Sequence, residues 1–399
     1  MSDRRDTDWS RVGPGTASVW AGEEGTFSDG ATQVPLVHSV AFGYPSLDEW
    51  SEVALGRQDG HIYSRATNPT VRVFEEKVRM LEGAEAATSF STGMAAISNA
   101  LFTLVEPGDR VVSIKDTYGG TSKVFLEMLP EAGVEVALCE TEDYDEIERQ
   151  VADGCRLLYL ESPTNPTLKV LDLGRLIASA HEVDAITIVD NTFATPINQR
   201  PIELGADLVV HSATKYLGGH ADALGGVLCG REDLVEKVFR YREIAGASLH
   251  PSAAFLLIRG MKTLELRVQR HNQSALQIAR LLENHEKVDQ VFYPGLESHP
   301  FHEVARRQMK GFGGVLSFSL EGGFEAVRAL LPRLRFAHMA ANLGSVSTLA
   351  GPPSTTSHVE LTAEQRQALG IPESLIRYSV GIENPEDLVA DLEQALAGL

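Results

Sequence analysis

The sequence predicts an α/β protein with a parallel sheet, followed by a smaller mixed unit. Three observations lead there. The short apolar runs RVVSI (110–114), RLLYLE (156–161), ITIVD (186–190) and DLVVH (207–211) are rich in Val, Ile and Leu, as strands buried on both faces of a parallel sheet are. Segments of helical periodicity alternate with these runs, the layer pattern of α/β domains. After about residue 250 the pattern changes to a helical stretch over Ala253–Gln277 and two strand-like segments, GGVLSFSL (313–320) and LIRYSVGIE (375–383).

Taken in order, roughly the first 60 residues are rich in Gly, Ser, Thr and Pro and read as an extended arm with short elements. Asn68-Pro69 is a helix start, an N-cap followed by Pro at the first helical position. Val71, Phe74, Val78 and Leu81 then recur at helical spacing, and Gly83 closes the helix. The expected division is an arm over 1–65, a large domain over 66–252 and a C-terminal domain over 253–399. In parallel sheets ligands sit beyond the carboxyl ends of the strands. Three of the apolar runs end in the polar clusters ESPTNP, DNTFATP and HSATKYLGGH, so the chemistry is sought there.

Composition narrows the function. The 399 residues carry 35 Lys and Arg against 55 Asp and Glu, a formal net charge of −20. Such an acidic chain is a poor match for nucleic acid or an anionic membrane, which need basic patches. Cys139, Cys155 and Cys229 form no C-x-x-C pair and no zinc-ligand spacing, so no metal site is expected. Sparse cysteines fit a reducing cytoplasm. The polar opening MSDRRDTDWSRVGPG lacks the apolar core of a signal peptide, and no apolar run is long enough to cross a bilayer. A soluble cytoplasmic protein is expected.

Lys215, in HSATKYLGGH, follows a buried strand among Ser, Thr and Gly. An amine there can condense with an aldehyde cofactor once nearby positive charge or desolvation disfavours its ammonium form. Ser212 and Thr214 offer hydroxyls to a phosphate beside it. Asp190 ends the strand ITIVD, and a carboxylate in that place can keep a pyridine ring protonated and electron-accepting, as pyridoxal 5′-phosphate (PLP) requires. STGMAAI (91–97) is a Gly turn opening a helix, whose free Gly93 and Met94 amides suit an anion. Tyr118, in DTYGGT, follows another strand and can stack on a cofactor ring.

Together these blocks resemble the Cys/Met-metabolism PLP enzymes, which include cystathionine γ-synthase, cystathionine γ-lyase, methionine γ-lyase and O-acetylhomoserine sulfhydrylase. The matching segments are YSRATNPT (63–70), STGMAAI, DTYGGT (116–121), ESPTNP (161–166), VDNTFATP (189–196), HSATKYLGGHAD (211–222) and RYSVGIE (377–383). The resemblance implies the type I, aspartate-aminotransferase-like PLP fold: an N-terminal arm, a large domain with a mixed, mainly parallel sheet, and a smaller α+β C-terminal domain. It implies Lys215 as the Schiff-base lysine and proton shuttle, and Asp190 as partner of the pyridine nitrogen. Gly93, Met94, Ser212 and Thr214 would hold the phosphate, with Tyr63 and Arg65 reaching it from a neighbouring subunit. Tyr118 would stack on the ring and act as acid or base, Asn165 would contact the ring hydroxyl, and Arg377 would bind the substrate carboxylate bidentately. Such enzymes are usually tetramers.

The resemblance loosens at the far end of the substrate. Cystathionine enzymes usually show Glu-Ser-Leu-Gly where this chain has Ala341-Asn342-Leu343-Gly344. An alanine cannot pair with the distal ammonium of cystathionine, and the Asn before Leu-Gly resembles the acetylhomoserine sulfhydrylases. The rim reads GPPSTTSH, where the family usually has His-Pro before Thr-His. Gly120 stands where methionine γ-lyases often have Cys, and their Lys-Asp pair aligns with Arg242-Glu243, which keeps the charges but changes the geometry. The preferred expectation is γ-elimination on a sulfur-containing or related γ-substituted L-amino acid, with Asn165 and Asn342 joining Arg377 as substrate-binding residues. γ-Replacement on an O-acylhomoserine is the alternative, and transamination or a non-catalytic PLP-binding role stands behind both.

Overall fold

In the computed structural model, residues 8–23, 30–359 and 362–399 are described. The expected helix forms over Pro69–Glu82: the Asn68 side chain accepts from the Thr70 amide at 2.9 Å, and Gly83 ends the helix at a φ of +73°. A cap of this kind is worth about 1 kcal/mol. Its stripe of Val71, Phe74, Val78 and Leu81 is buried.

The large sheet has seven strands: β1 (Ala86–Phe90), β2 (Arg110–Ile114), β3 (Glu135–Cys139), β4 (Leu157–Glu161), β5 (Ile186–Asp190), β6 (Leu208–Ser212) and β7 (Gly226–Gly230). Their spatial order is β1-β7-β6-β5-β4-β2-β3. The pairs from β3 through β6 are parallel, while β7 runs antiparallel to both β1 and β6. The connection agrees with this: residues 213–225 hold no helix, and a parallel return is usually made through a helical crossover. β4 and β5 are buried at every position, as their apolar runs predict. Large apolar clusters cover the sheet on both faces, one around Phe74, Val189 and Leu257, the other around Phe90, Leu101 and Ile188.

A second sheet is formed by β8 (Val288–Phe292), β9 (Val315–Leu320), β10 (His338–Met339), β11 (Leu349–Gly351) and β12 (Leu375–Ser379), in the order β10-β11-β12-β9-β8. The helical stretch expected over 253–277 is two helices, Pro251–Met261 and Leu264–Glu283. The break lets Gly260 lie against the backbone of Gly218, where an added Cβ would meet the Gly218 carbonyl at 2.0 Å. It also lets the buried Arg267 donate to the carbonyls of Tyr216 and Gly260, each at 2.8 Å. Ala254, Leu257, Met261 and Val268 pack in the large-sheet core, whereas Ala275, Ile278 and Leu282 pack against the second sheet. The packing therefore changes hands within the second helix, later in the chain than the 252/253 boundary expected from sequence.

The N-terminal segment is also tied to its own chain. Ala17, Ala21 and Val34 belong to the large core, and buried Glu23 pairs with Lys77 at 3.3 Å and Lys262 at 2.7 Å.

Candidate active site

Strand ends build one wall. β4 ends at Glu161 and β5 at Asp190, and the register sets these two carboxylates side by side. β6 ends at Ser212, three residues before Lys215. The opposite wall comes from the second sheet, where Arg377 lies in β12, and from the 341–357 region. Between them is a cavity of about 280 Å³, lined among others by Gly93, Met94, Tyr118, Asn165, Asp190, Ser212, Thr214, Lys215 and Arg377. That is near the lower end of volumes typical of small-molecule sites. A more voluminous cleft, about 700 Å³, lies elsewhere, between residues 140–169 and 283–301, and contains none of these residues.

The Lys215 amine donates to Asn342 Oδ1 at 2.7 Å. Burial, and then the Arg377 guanidinium, lower its pKa to about 8, so a sizeable fraction is neutral near physiological pH. Arg377 donates from Nη1 to Asn165 Oδ1 at 3.0 Å and from Nη2 to the Asn342 carbonyl at 3.2 Å. Asn165 and Asn342 thus fix the guanidinium from opposite walls.

Asp190 is buried, and burial raises its carboxyl pKa, opposed by bonds from Thr192. Its Oδ1 accepts from the Thr192 amide at 3.0 Å. Glu161 is pushed well above the carboxylate range, first by burial and then by Asp190, as expected when two acids share a dry site. Its Oε2 accepts from the Tyr118 amide at 2.8 Å, anchoring the loop that carries the Tyr118 ring. Sequence reasoning gave Glu161 no role. The available signal was its place at the end of the strand beside Asp190.

At the other end of the cavity the helix Gly93–Leu104 begins, and Thr92 caps it by accepting from the Ala95 amide at 3.0 Å. The first amides of a helix lack intrahelical partners. A Cβ on Gly93 would stand 2.8 Å from that of Ser212, so the glycine keeps the space between helix start and strand end open. Thr214 Oγ1 accepts from the Gly225 amide at 3.1 Å, which fixes the hydroxyl. Gly120 is equally constrained: a Cβ there would come within 2.9 Å of both Met94 Sδ and Tyr118 Cε1. A cysteine at this position would displace one of them.

Tyr63 and Arg65 do not line this cavity within one chain; Tyr63 is 43% exposed, with the Arg65 guanidinium 5.2 Å from its ring centre. Arg242 lies away from the cavity, buried and donating to the Ser89 carbonyl at 2.9 Å. Thr92, Ile97, Thr192, Phe193 and Leu224 also line it without having been singled out as site residues by sequence.

The cofactor expected from the resemblance fits these groups. A buried carboxylate stands ready for a ring N–H, an open helix start with adjacent hydroxyls for a phosphate, and a partly neutral amine for an aldehyde. Among the described residues no cluster of His, Cys, Asp and Glu is arranged to hold a metal, and no helix is long and apolar enough to cross a membrane.

Relatives have the same character. An L-methionine γ-lyase of Fusobacterium nucleatum subsp. polymorphum is 42% identical over 97% of this chain and 98% of its own. A cystathionine γ-lyase of Bacillus subtilis (strain 168) is 41% identical over 96% and 99%. The crystal structure of cystathionine γ-synthase from Xanthomonas oryzae pv. oryzae, in complex with aminoacrylate and cysteine, superposes with a TM-score of 0.92 at 38% identity, covering 96% of this chain and 98% of that one. With its residues 15–397 matching the family of Cys/Met metabolism PLP-dependent enzymes, the chain belongs to that family.

Proposed function

We propose that this chain catalyses γ-elimination on a sulfur-containing, or related γ-substituted, L-amino acid, methionine γ-lyase-like, consuming one water and releasing 2-oxobutanoate, ammonia and a thiol. The observation that carries the reading is the meeting of Lys215 and Arg377 in one cavity whose far wall, at Ala341, has no acid to receive a distal ammonium.

Bound PLP supplies an electron-accepting ring that makes the α- and β-protons of an amino acid removable. The chain supplies the rest. Asp190 would accept the ring N–H, and Asn165 would contact the ring hydroxyl. The Gly93 and Met94 amides, with the Ser212 and Thr214 hydroxyls, would hold the phosphate, joined by Tyr63 and Arg65 from a neighbouring subunit. Arg377 orients the substrate carboxylate, with Asn342 beside it. The Lys215 amine then takes the α-proton and moves protons along the side chain. Tyr118, which lines the cavity, would stack on the ring and serve as an acid or base.

The test is 2-oxobutanoate release from L-methionine with no amino acceptor present. Stoichiometric 2-oxobutanoate, ammonia and thiol are expected. Product formed only from O-acetyl-L-homoserine with an added thiol would replace this reading with γ-replacement, which the likeness to a solved cystathionine γ-synthase favours. Dependence on an added 2-oxo acid would indicate transamination.

We also infer a homotetramer, a dimer of dimers, in the cytoplasm. The exposed Leu36, Val40, Leu47 and Trp50 near the N-terminus support assembly, and three free, buried cysteines suit a reducing compartment. Sedimentation of the loaded enzyme as a monomer would overturn the assembly.

A further inference from the structure

A second cavity of about 490 Å³ adjoins the first. Ala341 and Thr356 line both, so these two side chains form the partition between them. The second cavity is walled mainly by apolar groups, among them Phe324, Val327, Leu331 and Ala350. Val327 and Ala350 are each 1% exposed. Among its described lining residues the one charged side chain is Arg328. That guanidinium, 68% exposed, lies 5.3 Å from the Phe324 ring centre, so the charge sits at the mouth and the interior stays apolar.

The partition is next to the chemistry. Ala341 directly precedes Asn342, whose side chain accepts from Lys215 and whose carbonyl accepts from Arg377, and consecutive Cα atoms are about 3.8 Å apart. An amino acid with its carboxylate at Arg377 and its α-carbon at Lys215 therefore has the partition within a few bonds of its γ-position. The large-domain wall opposite is formed by the polar ends of β4, β5 and β6, whereas the partition carries the methyl groups of Ala341 and Thr356.

We infer that the second cavity receives the γ-substituent, and that the chain prefers L-homocysteine thioethers whose S-substituent is uncharged and larger than methyl. This rests on the elimination reading above. Each methylene seated in an apolar cavity improves binding about fourfold.

The experiment compares kcat/KM for L-methionine, S-butyl-L-homocysteine and L,L-cystathionine, using the PLP-loaded enzyme and two variants, Ala340→Phe and Thr355→Phe. Both positions line the second cavity and not the first, and both are exposed. The butyl-to-methyl ratio is expected to reach at least about tenfold and to fall at least about fivefold in each variant, with cystathionine the poorest substrate. A ratio near one, or a ratio unchanged in both variants, overturns the inference. Turnover of none of the thioethers would sink the elimination reading instead. In that case competitive inhibition by L-norleucine and L-2-aminodecanoate, which have no γ leaving group, tests the cavity alone. Tighter inhibition by the longer acid that is lost in Ala340→Phe supports the inference, and equal constants in the wild type refute it.

Discussion

The two walls of the catalytic cavity are built by different means. The large-domain wall is a row of strand ends: Glu161, Asp190 and Ser212 each close a buried strand, and Lys215 follows within three residues. Backbone pairing alone places them, because parallel register puts Glu161 beside Asp190. The small-domain wall has no such order. Arg377 lies mid-strand in β12, while Asn342, Ala341 and Thr356 come from outside the strands. They reach the cavity through contacts such as Lys215 to Asn342, between residues 127 apart in sequence. One wall is thus fixed locally and suits a constant cofactor; the other depends on how two sheets dock, and suits a varying substrate.

Removing the amine tests that contrast most severely. Lys215→Ala should lower turnover by about 10⁴-fold or more, since it removes the proposed anchor of the cofactor and proton shuttle. The protein should still fold, because the Lys215 side chain packs at a cavity and not in the core. Near wild-type 2-oxobutanoate production by this variant would mean that the large-domain wall does not carry the chemistry.

A smaller effect is expected from the opposite wall. Arg377→Ala should raise KM by about 10- to 100-fold, the worth of lost charge-assisted hydrogen bonds, while cofactor absorbance stays near wild type. Loss of the cofactor from this variant would show that the two walls are not separable in function.

The smallest effect couples the walls. The ammonium form of Lys215 is disfavoured by burial and by Arg377, giving a pKa of about 8, below the ordinary lysine value. Only the neutral amine attacks an aldehyde, so PLP loading onto the apo-protein should accelerate as pH rises, with a midpoint near 8. In Arg377→Gln the like charge is gone, and the midpoint should move upward. An unchanged midpoint in the variant would leave burial as the whole cause.

Much of the first wall was legible in the sequence. Asn68, Pro69 and Gly83 bounded a helix by their own cap chemistry, and the all-apolar runs marked β2, β4, β5 and β6 to within about a residue. Other elements left weaker traces. β7, Gly226–Gly230, is glycine-bounded and short, and its antiparallel direction agrees with the non-helical 213–225 connection, not with any periodicity. The helix break at 262–263 was hidden because both flanking segments are strongly helical; it is imposed by Gly260 meeting Gly218 and by Arg267 bonding to carbonyls of the Lys215 loop. Arg242, aligned with the lysine of a Lys-Asp pair in methionine γ-lyases, is a buried tie among Glu75, Ser89 and Ala66.

The wall of strand ends was legible in consecutive apolar side chains, because Asp190 and Lys215 owe their positions to the strands whose burial those side chains dictate. The opposite wall emerged only from tertiary packing: the clasp of Arg377 by Asn165 and Asn342, and the second cavity behind Ala341 and Thr356. Both depend on the approach of distant segments, which no local pattern of residues encodes.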